Sequence, residues 1–187
     1  MASQPGSVDQ AAQYLGRALP DWTLVEDEVT TLLAVHRVYD APVPLDAMVR
    51  SQSLQVQFGH FPESQSDVAG FIRLSERKIY INAADAPRRQ TFTIAHELGH
   101  WMLHRTLLHA HPEMYRVLKR DKPVTSHSPL EQEANGFAGR LLVPRSLLDH
   151  YWRRAAVRPG VSTLARIFSV SEDVIRFRLQ FEYRHVA

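Results

Sequence analysis

Two histidines and a glutamate near the middle of the chain have the spacing of a metal site. The segment His96-Glu97-Leu98-Gly99-His100 has the pattern H-E-x-x-H. Histidines four residues apart lie one turn apart on the same face of a helix, so both imidazoles can reach one ion. Zinc suits two imidazole ligands best, and Glu97 is close enough to act as general base on a water held by the metal. We predict His96 and His100 as zinc ligands and Glu97 as the catalytic residue.

The side chains around this pattern indicate that its helix is buried. Apolar residues occupy nearly every side of the helix: Phe92, Ile94, Ala95, Leu98, Trp101, Met102 and Leu103. Buried histidine and glutamate side chains need partners, and a metal ion supplies them. A histidine pair that is merely solvated or packed in the core is the alternative, and the apolar surroundings disfavour it.

A third ligand is expected on a helix downstream. A catalytic zinc ion takes three protein ligands and keeps one position open, and the chain has no cysteine, which leaves histidine or a carboxylate. Glu131 and Asn135 are four residues apart and share a helix face, so one can bind the metal while the other supports a ligand histidine through its second nitrogen. We predict Glu131 as the ligand and Asn135 as the support. Glu133, about 200° away around the helix, is the alternative that the sequence leaves open.

The other histidines that follow the H-E-x-x-H segment are not predicted as metal ligands. His104 lies four residues beyond His100, but three such residues span about 12 Å of helix, too far to share one ion. We expect His104 to pack beside the site and support it. His109 and His111 are expected at the surface, and His127 is a candidate for stabilising an oxyanion.

Composition describes an ordinary globular protein. The 187 residues are 44% hydrophobic and 22% charged, which excludes a disordered or fibrous chain. The net charge of +2 is too small to indicate a nucleic-acid or membrane partner by itself. No apolar run approaches the length of a membrane span, and the first 20 residues lack the pattern of a secretory signal. A cytoplasmic protein without a membrane partner is expected.

Apolar periodicity and turn residues predict an α+β protein. Helices are expected at residues 8–19, 22–39, 45–50, 85–105, 113–119, 130–142, 144–155, 162–168 and 171–183. Three short strands are expected at 54–58, 68–74 and 78–82, with a hairpin turn at 75–77, as a small, mostly antiparallel sheet. The predicted division is N-terminal helices at 1–40, a core at 41–157 that carries the H-E-x-x-H segment, and C-terminal helices at 158–187 that pack on the core.

The last two predicted helices are similar to a helix-turn-helix. A small Ala165 falls at the helix crossing, Ser169-Val170 at the turn, and Ile175 where the second helix packs back. Arg176, Arg178 and Arg184 follow on that second helix. A structural or partner-docking role is favoured over DNA binding.

Several segments together resemble the ImmA/IrrE family of bacterial zinc metallopeptidases. They are residues 42–45, 70–72 and 79–82, the run from Arg88 to His100 with Leu103-His104, and the segments 131–138 and 141–144. The resemblance implies a minimal zincin-like fold, one zinc ion held by His96, His100 and Glu131, and Glu97 as catalytic base. It also implies a regulatory protease that acts on a helix-turn-helix repressor or antitoxin.

Three functions follow as hypotheses. The favoured one is a zinc-dependent endopeptidase that cleaves a protein substrate, plausibly a cognate helix-turn-helix repressor in mobile-element, stress-response or toxin–antitoxin regulation. The second is a toxin–antitoxin component that binds its partner without cutting it. The third is a DNA-binding regulator whose zinc is structural and whose C-terminal arginines contact the duplex.

Overall fold

A computed structural model of the chain describes residues 19–62, 67–111 and 128–184. The predicted helix at 113–119 and nearly all of the one at 8–19 lie outside these residues, as does His127. The elements are α1 (Trp22–Val35), α2 (Leu45–Ser51), β1 (Gln55–Gly59), β2 (Gly70–Arg73), β3 (Lys78–Asn82), α3 (Pro87–Gly99), α4 (Arg105–Ala110), α5 (Pro129–Leu142), α6 (Arg145–Leu148), α7 (Val161–Ile167) and α8 (Glu172–Tyr183). The α+β class is confirmed. No helix in the described part is long and apolar enough to cross a membrane.

The three strands form a mixed sheet in the order β1-β3-β2. β2 and β3 are the predicted hairpin, with Arg77 in the left-handed region at the turn. β1 pairs with β3 in parallel, so that Val56 lies opposite Ile79. The expectation of a mostly antiparallel sheet is therefore corrected to one parallel and one antiparallel pairing. The chain passes β2 before it returns as β3 between the other two strands, which brings β3 beside β1 in the same direction.

Helix α3 lies between the sheet and α5 and forms the centre of the fold. Its Ala95 and Leu98 are fully buried, as are Ile79 and Ile81 of β3 and Phe137 of α5. Pro87 stands in the first turn, as predicted, but Asp85 does not cap the helix. The N-cap is Ala86, without a side-chain hydrogen bond.

The helix that carries the histidines changes its geometry after Gly99. The expected uninterrupted α-helix to residue 105 is instead α3, a π-helical turn at His100–His104, and then α4. π-turns inside α-helices are rare and occur often at functional sites. Here the turn contains both His100 and His104.

One hydrophobic core includes all three predicted segments. Val25 and Val29 of α1, Leu98 of α3, and Leu164 and Ile175 of the last two helices belong to the same cluster of buried side chains. The C-terminal helices therefore pack on the core, and Ser169 takes a left-handed conformation at the turn between them. The exact division into 1–40, 41–157 and 158–187 stays a prediction.

Glycine at position 99 sets how closely α3 and α5 approach. A Cβ at this position would lie 3.3 Å from the backbone of Ala134 and 3.1 Å from the ring of Phe137. We expect Gly99→Ala to lower the free energy of unfolding by about 1–3 kcal/mol, because α5 must move away from α3. Chemical denaturation of the metal-free protein measures the change.

Gly139→Ala is the matched control on α5. A Cβ there would meet only Arg178 Cδ, at an ordinary 3.6 Å, so the alanine should raise the free energy of unfolding by up to about 1 kcal/mol through its helix propensity. Stabilisation by both substitutions would show that the helices are not in close contact at Gly99.

Candidate metal centre

The structure brings together three potential ligand atoms from two helices. His96 and His100 project from α3 and the π-turn, and Glu131 projects from the first turn of α5. The two Nε2 atoms are 3.1 Å apart. Glu131 Oε2 lies 3.3 Å from His96 Nε2, and Glu131 Oε1 lies 3.2 Å from His100 Nε2. Among the described residues these three form a group that could hold one metal ion.

The spacing of these ligand atoms fits a metal ion. A tetrahedral zinc ion about 2.0–2.1 Å from its ligand atoms holds those atoms about 3.3–3.4 Å apart. The two Nε2 atoms are 3.1 Å apart, and the two Glu131 oxygens lie 3.2 Å from His100 Nε2 and 3.3 Å from His96 Nε2, so each spacing is close to that edge length. Two imidazole nitrogens and a carboxylate oxygen are also a donor set that leaves a fourth position open. The residues therefore fit the metal that the motif implies.

Burial and hydrogen bonding favour the protonation states that a metal needs in Glu131 and His100. Burial would raise the pKa of Glu131, but hydrogen bonds from His100 and His96 hold that pKa far below its usual range. Burial lowers the pKa of His100, which favours the neutral ring. Burial acts the same way on His96, yet its hydrogen bond to Glu131 and the charge of Glu97 give a net rise in its pKa. A bound cation would oppose that protonation.

Asn135 supports His96 from the side away from the metal position. Asn135 Oδ1 lies 3.0 Å from His96 Nδ1, so the amide oxygen accepts a hydrogen bond from Nδ1–H. This tautomer leaves the Nε2 lone pair of His96 for a metal. The structure thus places Asn135 where the i, i+4 spacing from Glu131 predicts it.

Removal of this support should weaken metal binding. We expect Asn135→Leu, which keeps the side-chain size but loses the acceptor, to lower zinc affinity about 10- to 100-fold. Asn135→Asp keeps an acceptor oxygen and should retain most of the affinity. Competition with a zinc chelator measures both variants. Equal affinities for the leucine and aspartate variants would show that the hydrogen bond does not orient His96.

Glu97 lies next to the ligands rather than among them. It is 7% exposed, one residue after His96, and its charge acts on the His96 ring. A buried carboxylate beside a metal position, not itself one of the three clustered ligands, is the arrangement that a general base requires.

Glu133 and His104 form a second buried pair behind His100. Both side chains are 0% exposed. His104 Nδ1 lies 3.0 Å from His100 Nδ1, and His104 Nε2 lies 2.8 Å from Glu133 Oε2. His104 thus contacts the site from behind, as predicted. Glu133, the alternative third ligand, instead has its carboxylate turned to His104.

Sequence reasoning missed what Glu133 does. Its second oxygen accepts a hydrogen bond from the backbone N–H of Asp21, at 2.5 Å. A backbone donor from a distant segment leaves no signal in the sequence. The available signal was that a buried histidine and a buried glutamate on two packed helices must find each other.

The C-terminal arginines are only partly available to a partner. Arg178 is 1% exposed and bonded to Glu182 Oε1 and the carbonyl of Val143. Arg176 is paired with Glu172 and Asp173 on its own helix. Arg176 and Arg184, the C-cap of this helix, are exposed.

The fold and the site define the chain as a small α+β domain of the metallopeptidase type. It has a mixed three-stranded sheet, a central H-E-x-x-H helix, and a neighbouring helix that supplies a carboxylate. A family model confirms this class: residues 49–180 match the M78 peptidases, described as the IrrE N-terminal-like domain. The chain belongs to this family.

A solved structure is similar in fold. It is a Mycobacterium tuberculosis transcriptional regulator, with a TM-score of 0.54 and 14% sequence identity over 94% of this chain. The chain spans about half of that protein, 52% of its length. Among curated proteins no sequence matches.

Proposed function

We propose that the chain is a zinc-dependent endopeptidase that hydrolyses a peptide bond in a protein substrate. The observation that carries the proposal is the buried cluster beside Glu97 in which His96 Nε2 and His100 Nε2 are 3.1 Å apart and lie 3.3 and 3.2 Å from the two oxygens of Glu131. Membership of a peptidase family supports it.

His96, His100 and Glu131 would hold the metal, and two imidazoles with one carboxylate favour zinc. When bound, zinc supplies Lewis acidity, which lowers the pKa of a water ligand to about 7 and polarises the scissile carbonyl. The carboxylate of Glu131 contributes negative charge to the site, and Asn135 keeps His96 in the ligating tautomer.

Glu97 acts first as the general base and then as the general acid. Its carboxylate takes a proton from the attacking water as the water oxygen bonds to the carbonyl carbon. It then gives that proton to the amide nitrogen as the C–N bond breaks. The products are a carboxylic acid and an amine, and Glu97 returns to its starting state.

The substrate is proposed from the family resemblance. A helix-turn-helix repressor or an antitoxin in the cytoplasm is the expected target, and the similar solved structure is named a transcriptional regulator. Direct DNA binding by this chain is less favoured, because Arg178 is buried and Arg176 is paired within its own helix.

Cleavage of a peptide library tests the proposal without knowledge of the substrate. Peptides prepared from a bacterial proteome are incubated with the zinc-loaded protein, with chelator-treated protein, and with the treated protein after zinc is restored. Mass spectrometry counts new peptide termini. New termini with the first and third samples are expected, and termini that are independent of zinc would contradict the proposal.

A further inference from the structure

A continuous row of buried hydrogen-bonding groups connects the metal position to the start of α1. His100 Nε2 faces Glu131, and His100 Nδ1 faces His104 Nδ1 at 3.0 Å. His104 Nε2 faces Glu133 Oε2 at 2.8 Å, and Glu133 Oε1 faces the N–H of Asp21 at 2.5 Å. His104 and Glu133 are 0% exposed, and His100 is 3% exposed. Because these side chains are buried, each contact from His100 Nδ1 to the Asp21 N–H needs one proton on one of its two facing atoms.

The Asp21 end of the row determines which atom of each contact carries the proton. The Asp21 N–H is a backbone group and can only donate. A carboxylate can only accept, so Glu133 accepts from Asp21 on one oxygen and from His104 Nε2–H on the other. A neutral His104 then has a lone pair on Nδ1, which must accept from His100 Nδ1–H. This order leaves the lone pair of His100 on Nε2, where a metal would bind. Without a metal, Nε2 lies 3.2 Å from Glu131 Oε1, which can only accept, so an additional proton holds that contact.

We propose that Glu133 and His104 are positioning residues that hold His100 in the tautomer required for metal binding. The proposal rests on the proposed metal centre. It extends that centre through the backbone N–H of Asp21 to α1, which lies before the 49–180 segment that matches the family. Asp21 is also the N-cap of α1, with its side chain accepting from the Leu24 N–H. The Glu133 carboxylate thus lies at a helix N-terminus, where negative charge is favoured.

Glutamine at position 133 would reverse the proton order while keeping the side-chain shape. Its amide oxygen can satisfy the Asp21 N–H, which turns the NH2 group toward His104 Nε2. His104 must then carry its proton on Nδ1 and donate to His100 Nδ1. His100 would carry its proton on Nε2, where the metal has to bind. The alternative amide orientation restores the order only by placing two donors against each other at Asp21.

The experiment combines NMR and metal competition on the full chain. Imidazole nitrogen shifts of the wild type should show His104 protonated on Nε2 both without and with zinc, and His100 protonated on Nδ1 once zinc is bound. Glu133→Gln should move the His104 proton to Nδ1 in the zinc-free protein and lower zinc affinity about 10- to 100-fold. Asp27→Asn, which removes one charge from an exposed position on α1, is the control and should change neither readout.

A double variant separates positioning from packing. His104→Phe keeps a ring in the cavity and interrupts the row, so Glu133→Gln added to it should cost little further zinc affinity. Additive losses, or wild-type tautomers opposite to those stated, would overturn the proposal, and the wild-type spectrum decides even if a variant fails to fold. Failure of the wild type to bind zinc would instead contradict the metal centre, and the tautomers of the zinc-free protein would still test the row.

Discussion

Glu97→Gln is expected to abolish peptide cleavage while the protein still binds its metal. Glutamine has the shape of glutamate but cannot accept the proton of the attacking water, and general-base catalysis contributes about 10²- to 10⁴-fold to the rate. Glu97 is not one of the three clustered ligands, so zinc affinity should stay within a few-fold of wild type. Initial rates on a peptide that the wild type cleaves, measured beside zinc stoichiometry, give both quantities.

The Asp27→Asn variant also serves as the control here, because it removes an exposed carboxylate that is not part of the metal centre and should retain full activity. A Glu97→Gln protein that binds zinc and cleaves at more than a tenth of the wild-type rate would show that another group accepts the proton. Loss of zinc together with activity would place Glu97 among the ligands.

Glu131→Gln is expected to have the largest effect on metal binding. The substitution removes the only negative charge among the three ligand side chains and places an amide against two histidine nitrogens. Loss of a direct ligand should exceed the 10- to 100-fold cost typical of groups that act through a ligand, so we expect a fall in zinc affinity of more than about 100-fold. Thermal unfolding at several zinc concentrations measures this, because zinc that binds the folded protein raises the melting temperature.

Glu172→Gln makes the same chemical change at a side chain of α8 that is 42% exposed and should preserve the zinc-dependent rise in melting temperature. A normal rise in Glu131→Gln would remove Glu131 from the metal centre. Its contacts in the structure with both Nε2 atoms would then be only hydrogen bonds of the metal-free state.

The parts of the site that follow from helix spacing could be predicted from sequence. Positions four apart share a helix face whatever surrounds them. For this reason His96 lies beside His100, and Glu131 and Asn135 both face the histidines, as predicted. Because the chain has no cysteine, histidine or a carboxylate is left as the third ligand. Strand alternation likewise located β1, β2 and β3 to within a few residues.

The remaining features depend on contacts that spacing does not encode. The direction of β1 follows from the path of the chain through β2, not from its own alternation. The π-turn at His100–His104 departs from the α-helical geometry that the spacing argument assumes. The role of Glu133 depends on a backbone N–H at Asp21, 112 residues away, and any residue except proline presents such a group.

Anomalous diffraction at the zinc edge from crystals of the zinc-loaded protein tests the central claim most directly. We predict one zinc ion per chain, bound to His96 Nε2, His100 Nε2 and an oxygen of Glu131 at about 2.0–2.2 Å, with the fourth position open to solvent beside Glu97. A zinc ion bound elsewhere, or one enclosed by four protein ligands, would contradict it.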